Sequence, residues 1–275
     1  MVLRDDLPVY IVSNLDLPIP AKLQGKVFIL PAKPEHAALG IGIKLYTDEY
    51  LQTEHTLFID SDCLCYESLD KVFEACEGMD VSAAGRLVPA NDWCSDELAK
   101  TIKANGGLDE LIRFNGGLYY YRRSETTKSI FSKAREIAAK YDEYGFSRIK
   151  DKWMNEEVPL SISMSLHRQR PMADDGSYMT DLFTDYRPKT LNVLTGKRLL
   201  QNPATPSKQH RSWYPASYSP VILHFGGSNL SSYPYLSQTW LLRFNDMGLP
   251  AWLSSLLVSL FVDLPFRFYY RLKGL

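Results

Sequence analysis

The sequence predicts an α/β fold: a mixed, mostly parallel sheet flanked by helices, followed by an amphipathic helical tail. Three observations carry this expectation. Short β-branched and aromatic runs alternate with helix-like stretches through the first half of the chain. One such run, TLFI at 56–59, stops abruptly at Asp60-Ser61-Asp62. Between 249 and 266 the sole charged residue is Asp263.

Taken in order, 7–12 (LPVYIV) and 26–30 (KVFIL) read as strands, each closed by turn residues. Residues 34–51 read as one helix, with Pro34 near its start and apolar residues returning every three or four positions. TLFI is a buried strand and 80–84 a weaker one. Residues 118–121 form a strand after Gly116-Gly117, and 126–141 and 159–166 are helical. Strand, helix and strand in succession imply a parallel sheet covered on both faces. The stretch 171–220 is rich in Pro, Ser, Asp, Tyr and Lys and reads as long loops with short strands. Loops of that length in a compact domain usually carry function. A strand at 220–223 then leads into His224-Phe225-Gly226-Gly227. One domain is expected over 1–245, with the tail over 246–275.

The bulk properties exclude several classes. With 275 residues, 45% hydrophobic and 23% charged, the chain can bury a sizeable core. A net charge of −1 lacks the basic face that broad nucleic-acid binding requires. No basic segment followed by an apolar run opens the chain, so no secretory signal is expected. The four cysteines, Cys63, Cys65, Cys76 and Cys94, lack paired CxxC spacing, which favours thiols in a reducing compartment over disulfides or zinc.

The chemistry centres on Asp60 and Asp62. Ligands of α/β sheets bind at the carboxyl ends of strands, where this pair is expected to lie. Two carboxylates one residue apart can hold a hard divalent cation, Mg2+ or Mn2+, whose other positions go to water and phosphate oxygens. Alternatively they cap a helix starting near Glu67 or Ser68. His224 after a strand and before two glycines suits a ligand, although an isolated histidine is more often structural. Gly226 and Gly227 would allow close backbone approach to phosphate. Asn115-Gly116 is also a turn signal in its own right.

LFIDSDCLCY, FNGGLYYY and ILHFGG, in this order and spacing, resemble glycosyltransferase family 8, the glycogenin and lipopolysaccharide galactosyltransferase group with a Rossmann-like GT-A fold. The resemblance covers roughly 7–227. It implies transfer of a hexose from a nucleotide sugar, a UDP-sugar, to a glycan or lipid-linked glycan, with retained anomeric configuration. It further implies Asp60, Asp62 and His224 as Mn2+ ligands, with Mg2+ as the alternative. Asn115, Gly116, Ser61, Gly226, Gly227 and Lys44 would contact donor or acceptor. Glu156 or Glu157 would stand at the reacting sugar, or else serve only as acids in a helix's first turn. Two family features are absent: after the histidine there is Ser228-Asn229 in place of a Lys-Pro-Trp segment, and the first, nucleobase-cradling strand is expected before Met1. Gly116 in the usual serine position is a milder departure.

Two rival readings exist. Haloacid-dehalogenase phosphatases also follow a strand with DxD, and Asp174-Asp175 could pose as their later acidic pair. Cys63-Leu64 departs from their usual DxDGT continuation. A degenerate GT-A domain that binds a sugar or partner without turnover is the other. In the tail, Pro250 can start a helix and Pro265 stop it. Ser255, Ser259 and Asp263 would form one polar stripe, and Phe268, Tyr269 and Tyr270 mingle with Arg267, Arg271 and Lys273. Such a helix, about 22 Å at 1.5 Å per residue, is too short to span a bilayer of ~30 Å. The reading is a surface anchor over 249–273 at the inner face of the membrane, in a cytoplasmic protein. The alternative is a helix packed on the domain or on a dimer partner.

Overall fold

The computed structural model describes residues 6–149, 152–181, 191–226 and 233–272. In chain order it begins with β1 (Val9–Ser13), β2 (Val27–Pro31), α1 (Pro34–Ala37), a 3-10 helix (Gly40–Tyr50), β3 (His55–Ile59) and β4 (Cys63–Cys65). There follow α2 (Asp70–Ala75), β5 (Val81–Pro89), α3 (Asp96–Gly106), β6 (Glu110–Arg122), α4 (Glu125–Ala139) and α5 (Glu157–Leu166). Short strands come next: β7 (Met172–Ala173), β8 (Met179–Asp181), β9 (Leu200–Gln201), β10 (Ser217–Tyr218) and β11 (Ile222–His224). The C-terminal helices are α6 (Tyr235–Asp246), α7 (Ala251–Val258) and α8 (Leu264–Leu272). The chain divides into two compact units, the first comprising Val2–Ile59 and Val72–Ala173, the second Asp60–Lys71 and Asp174–Leu275. The tail expected at 246–275 falls inside the second unit.

In the first unit, β1 and β2 pair in parallel, and a separate sheet runs β3-β6-β5-β7. The α/β class is as expected, but the balance of strand directions is not. β6 is antiparallel to both β3 and β5, and only the two-residue β7 adds a parallel neighbour. Asn115-Gly116-Gly117, expected to precede a strand, sits inside one already running from Glu110. The ladder with β5 skips from Tyr119 to Phe114, so these residues bulge out of it. α4 is capped by Ser124, whose hydroxyl accepts from Thr127 N–H at 3.1 Å. It buries Ile130, Phe131, Ala134 and Ala138 in a core shared with Leu160 and Met164 of α5 and Tyr119 and Tyr121 of β6. The helix expected over 34–51 is broken. Gly40 adopts φ +60°, and a Cβ there would lie 2.5 Å from the Trp153 ring, so the chain turns and resumes as 3-10.

The second unit carries a sheet of order β4-β11-β8, with β11 antiparallel to β4 and parallel to β8. Behind it Tyr66, Leu223, Phe225, Leu241, Val258 and Val262 share one core. The C-terminal helix departs from expectation in two ways. It does not stop at Pro265. A π turn at Ser259–Asp263 joins α7 to α8 and accommodates the proline's missing donor. The continuous helix, 251–272, is thus about 33 Å long at 1.5 Å per residue. Two of its polar residues also bond back to the unit: Asn192 Nδ2 donates to Ser255 Oγ at 2.9 Å, and Ser237 Oγ donates to Asp263 Oδ1 at 2.5 Å, whereas Ser259 is exposed. Trp252, Phe261, Phe268 and Leu272 are 70%, 72%, 65% and 71% exposed. Ala251–Tyr269 is long and apolar enough to cross a membrane by length and composition alone.

Candidate functional site

Asp60-Ser61-Asp62 forms the tight turn that enters β4, closed by Cys63 N–H donating to the Asp60 carbonyl at 3.0 Å. Ser61 is exposed at its tip. His224 ends β11, in register with Cys63 on β4 and with Asp181 on β8. Residues in register share a sheet face, so Asp181, His224 and Cys63 make a row across three strands.

The row and the turn meet at the imidazole. His224 Nε2 lies 3.2 Å from Asp62 Oδ1 and 4.0 Å from Asp60 Oδ2. On the other side of the ring, Nδ1 lies 2.8 Å from Asp181 Oδ1. Burial alone would lower the imidazole pKa, but hydrogen bonds and charge from Asp181 and Asp62 outweigh it and push the value up to about 10. Without an ion the ring is therefore an imidazolium at neutral pH. Asp62, Cys63 and His224 offer ligand atoms within 4.8 Å of one another. Burial first, then Asp60 and Asp62, holds the Cys63 thiol far above the ordinary thiol range, so it is neutral. No disulfide joins Cys63, Cys65, Cys76 or Cys94 to one another.

These residues fit a divalent ion. Neighbouring ligands on an octahedral ion with ~2.1 Å bonds lie about 3 Å apart, close to the Asp62–His224 separation. Imidazole nitrogen with carboxylate oxygens is a ligand set that divalent ions accept. Asp181 lies toward Arg211, whose Nη2 is 3.8 Å from Asp181 Oδ2. Arg211 Nη1 donates to Tyr214 Oη at 2.7 Å, and Tyr214 Oη donates to Asp174 Oδ1 at 2.5 Å. Burial opposes the Arg211 charge, yet Tyr214, Asp174 and Asp181 more than restore it. Asp174, the acid weighed above for a phosphatase, is engaged in this network and also accepts from Trp213 Nε1 at 3.2 Å.

A second polar cluster lies in the first unit. Lys44 is no surface lysine: its side chain is 13% exposed, its Nζ donates to the Gly116 carbonyl at 2.9 Å and pairs with Glu156 Oε1 at 3.3 Å. Glu156 is buried and also accepts from Tyr119 Oη at 3.3 Å. Glu157, at the start of α5 and only half-buried, accepts from Gly116 N–H at 2.7 Å. Asn115 Oδ1 accepts from Gly117 N–H at 2.9 Å, which holds the bulge. A Cβ on Gly116 would lie 2.7 Å from Glu156 Oε1 and 2.8 Å from Tyr119 Oη. A side chain at this position would therefore have to displace Glu156 or Tyr119.

The predicted residues thus fall into two groups. Asp60, Asp62 and His224 gather in the second unit. Lys44, Asn115, Gly116, Glu156 and Glu157 gather in the first. Gly226 takes φ +60°, which glycine alone adopts readily, whereas Gly227 lies outside the described residues, as do Ser228, Asn229 and Lys273. Sequence reasoning missed Asp181, Arg211 and Cys63. Cys63 adjoins the DxD and was open to suspicion, but Asp181 and Arg211 sit in the aperiodic 171–220 stretch, where register with β11 was invisible.

No protein-family model matches the chain, and no curated protein does. Among solved structures, an active-site mutant of LgtC is 15% identical, over 82% of this chain and 75% of that one, at a TM-score of 0.45. The galactosyltransferase LgtC in complex with donor and acceptor sugar analogs is also 15% identical, over 86% and 75%, at 0.42. At such identities and TM-scores, neither likeness assigns a family.

Proposed function

We propose that the chain is a divalent-metal-dependent glycosyltransferase that moves a hexose from a nucleotide sugar, a UDP-sugar, to a glycan or lipid-linked glycan with retention. The observation that carries the reading is His224 Nε2 meeting Asp62 and Asp60 at one point. Asp60, Asp62 and His224 are assigned to Mn2+, or to Mg2+ in its place. When bound, such an ion supplies Lewis acidity and charge to a departing diphosphate. Gly226, by its backbone conformation, and Ser61, by its exposure, are assigned to the phosphates. In the other cluster, Glu157 is assigned to the sugar together with Asn115, while buried Glu156 holds Lys44 in place. Ordered as this polar network is, it would cost little reorganisation when a sugar arrives.

Mn2+-dependent hydrolysis and transfer with a panel of UDP- and GDP-sugars tests the reading. Turnover of at least one donor, lost with chelator and restored by Mn2+, is expected. Cleavage of p-nitrophenyl phosphate with no donor turnover would return the chain to the phosphatase reading.

The exposed apolar side chains of 251–272, Trp252, Phe261 and Phe268 among them, support a lipid-surface anchor, with Arg267 and Arg271 suited to anionic headgroups. Val258 and Val262 are buried in the unit's core, which favours a helix lying on the membrane over one spanning it. That reading puts the protein in the cytoplasm, at the inner face. Co-sedimentation with anionic vesicles should fall at least tenfold in Trp252→Ser/Phe261→Ser. Equal binding of this variant and wild type would remove the helix from that role.

A further inference from the structure

We propose that Asp181 is the positioning residue of the ion site, fixing the His224 ring so that Nε2 is presented to the ion. The inference rests on the metal-site reading above. It starts from the backbone: β8 runs parallel to β11 with Asp181 in register with His224. That pairing delivers a carboxylate to Nδ1 at 2.8 Å. The two nitrogens lie on different sides of a rigid ring, so fixing Nδ1 determines where Nε2 points. Nε2 then faces Asp62 at 3.2 Å.

The same bond sets the tautomer. A carboxylate only accepts, so it holds the proton on Nδ1 and leaves the Nε2 lone pair for an ion. Asp181 is not placed as a ligand, because its Oδ1 is taken up on the face of the ring turned from Asp62. Its other oxygen lies toward Arg211, itself tied to Tyr214 and through it to Asp174. Carboxylates behind metal-bound histidines act this way generally, and their loss weakens ion affinity about 10–100-fold.

Mn2+ binding by the full chain, read from loss of the free-ion electron paramagnetic resonance signal, tests this with Asp181→Ala and Asp181→Asn. Wild type should bind, Asp62→Ala should not, and Asp181→Ala should bind about 10–100-fold more weakly. Asp181→Asn keeps an oxygen acceptor for Nδ1–H, so its loss should be smaller. If Asp181→Ala fails to fold, Asp181→Asn decides. In wild type loaded with diamagnetic Mg2+, nitrogen NMR of the histidine ring should find the proton on Nδ1. Affinities within twofold of wild type in the folded variants would overturn the proposal, as would complete loss in Asp181→Asn equal to Asp62→Ala, which marks a direct ligand. Failure of wild type itself to bind Mn2+ would overturn the underlying metal reading, and that result appears before any Asp181 variant is made.

Discussion

The two polar clusters are built on opposite principles. In the first unit each carboxylate meets its donors: Glu156 has Lys44 and Tyr119, and Glu157 has the Gly116 N–H. In the second unit Asp60, Asp62 and Asp181 all converge on one imidazole. A satisfied network stabilises the fold, and loss of one member leaves a buried charge behind. Acids that share one imidazolium are held by a single charge, and a divalent ion taking the place of the Nε2 proton supplies a second, so such a cluster is arranged for binding. The first cluster should therefore respond to mutation chiefly in stability, and the second chiefly in metal affinity.

The largest effect is expected at Asp62. Asp62→Ala should reduce Mn2+ affinity at least 100-fold by calorimetric titration, while unfolding of the metal-free protein shifts by less than about 1 kcal/mol. A large fall in metal-free stability would show that this cluster, too, belongs to the scaffold.

Lys44→Met tests the other side. It leaves Glu156, 2% exposed, without its cation. Urea unfolding should register a loss of about 3–5 kcal/mol. Lys44→Met/Glu156→Gln should recover part of it, because no buried charge then remains unpaired. If the single and double variants are equally stable, the pair contributes nothing to the fold and the comparison fails.

Gly116→Ser sharpens the same contrast sterically. A side chain here meets Glu156 Oε1 and Tyr119 Oη below 3.0 Å. Crowding of this kind costs about 1–3 kcal/mol, and the midpoint of urea unfolding should fall accordingly. A neutral outcome would mean that Glu156 has room to move.

These contrasts bear on how much the sequence disclosed. The strands at LPVYIV, KVFIL and TLFI, the helix after Ser124 and the Asp60-Asp62-His224 convergence follow from apolar periodicity and from motifs whose order survives folding. What escaped detection depends on tertiary packing. Gly40 breaks the 34–51 helix because Trp153 arrives from 113 residues further along the chain. The polar stripe Ser255, Ser259 and Asp263 was visible, but not that Asn192 and Ser237 would engage Ser255 and Asp263 and leave Ser259 exposed. Asn115-Gly116, expected as a turn before a strand, is a bulge within one, a state that local propensity does not distinguish from a turn.

The smallest expected effect comes from an acid outside both clusters. Asp80 accepts from Ser124 Oγ at 2.6 Å and from Arg122 Nη2 at 2.7 Å. Burial raises its pKa, but the bonds from Ser124 and Arg122 outweigh this and hold the carboxyl below its ordinary 3.8. A depressed folded pKa contributes stability that is complete above the unfolded value and disappears as pH falls through the folded one. Arg122 is 40% exposed, so solvent weakens the pair, and Asp80→Asn should cost about 1 kcal/mol at pH 7. The gap between wild type and variant should narrow below pH ~4 as the wild-type carboxyl takes up its proton. Mn2+ affinity should be unchanged. A gap that widened in acid would reverse the sign of the pairing, and a change in Mn2+ affinity would mean that scaffold and ion site are not energetically separate.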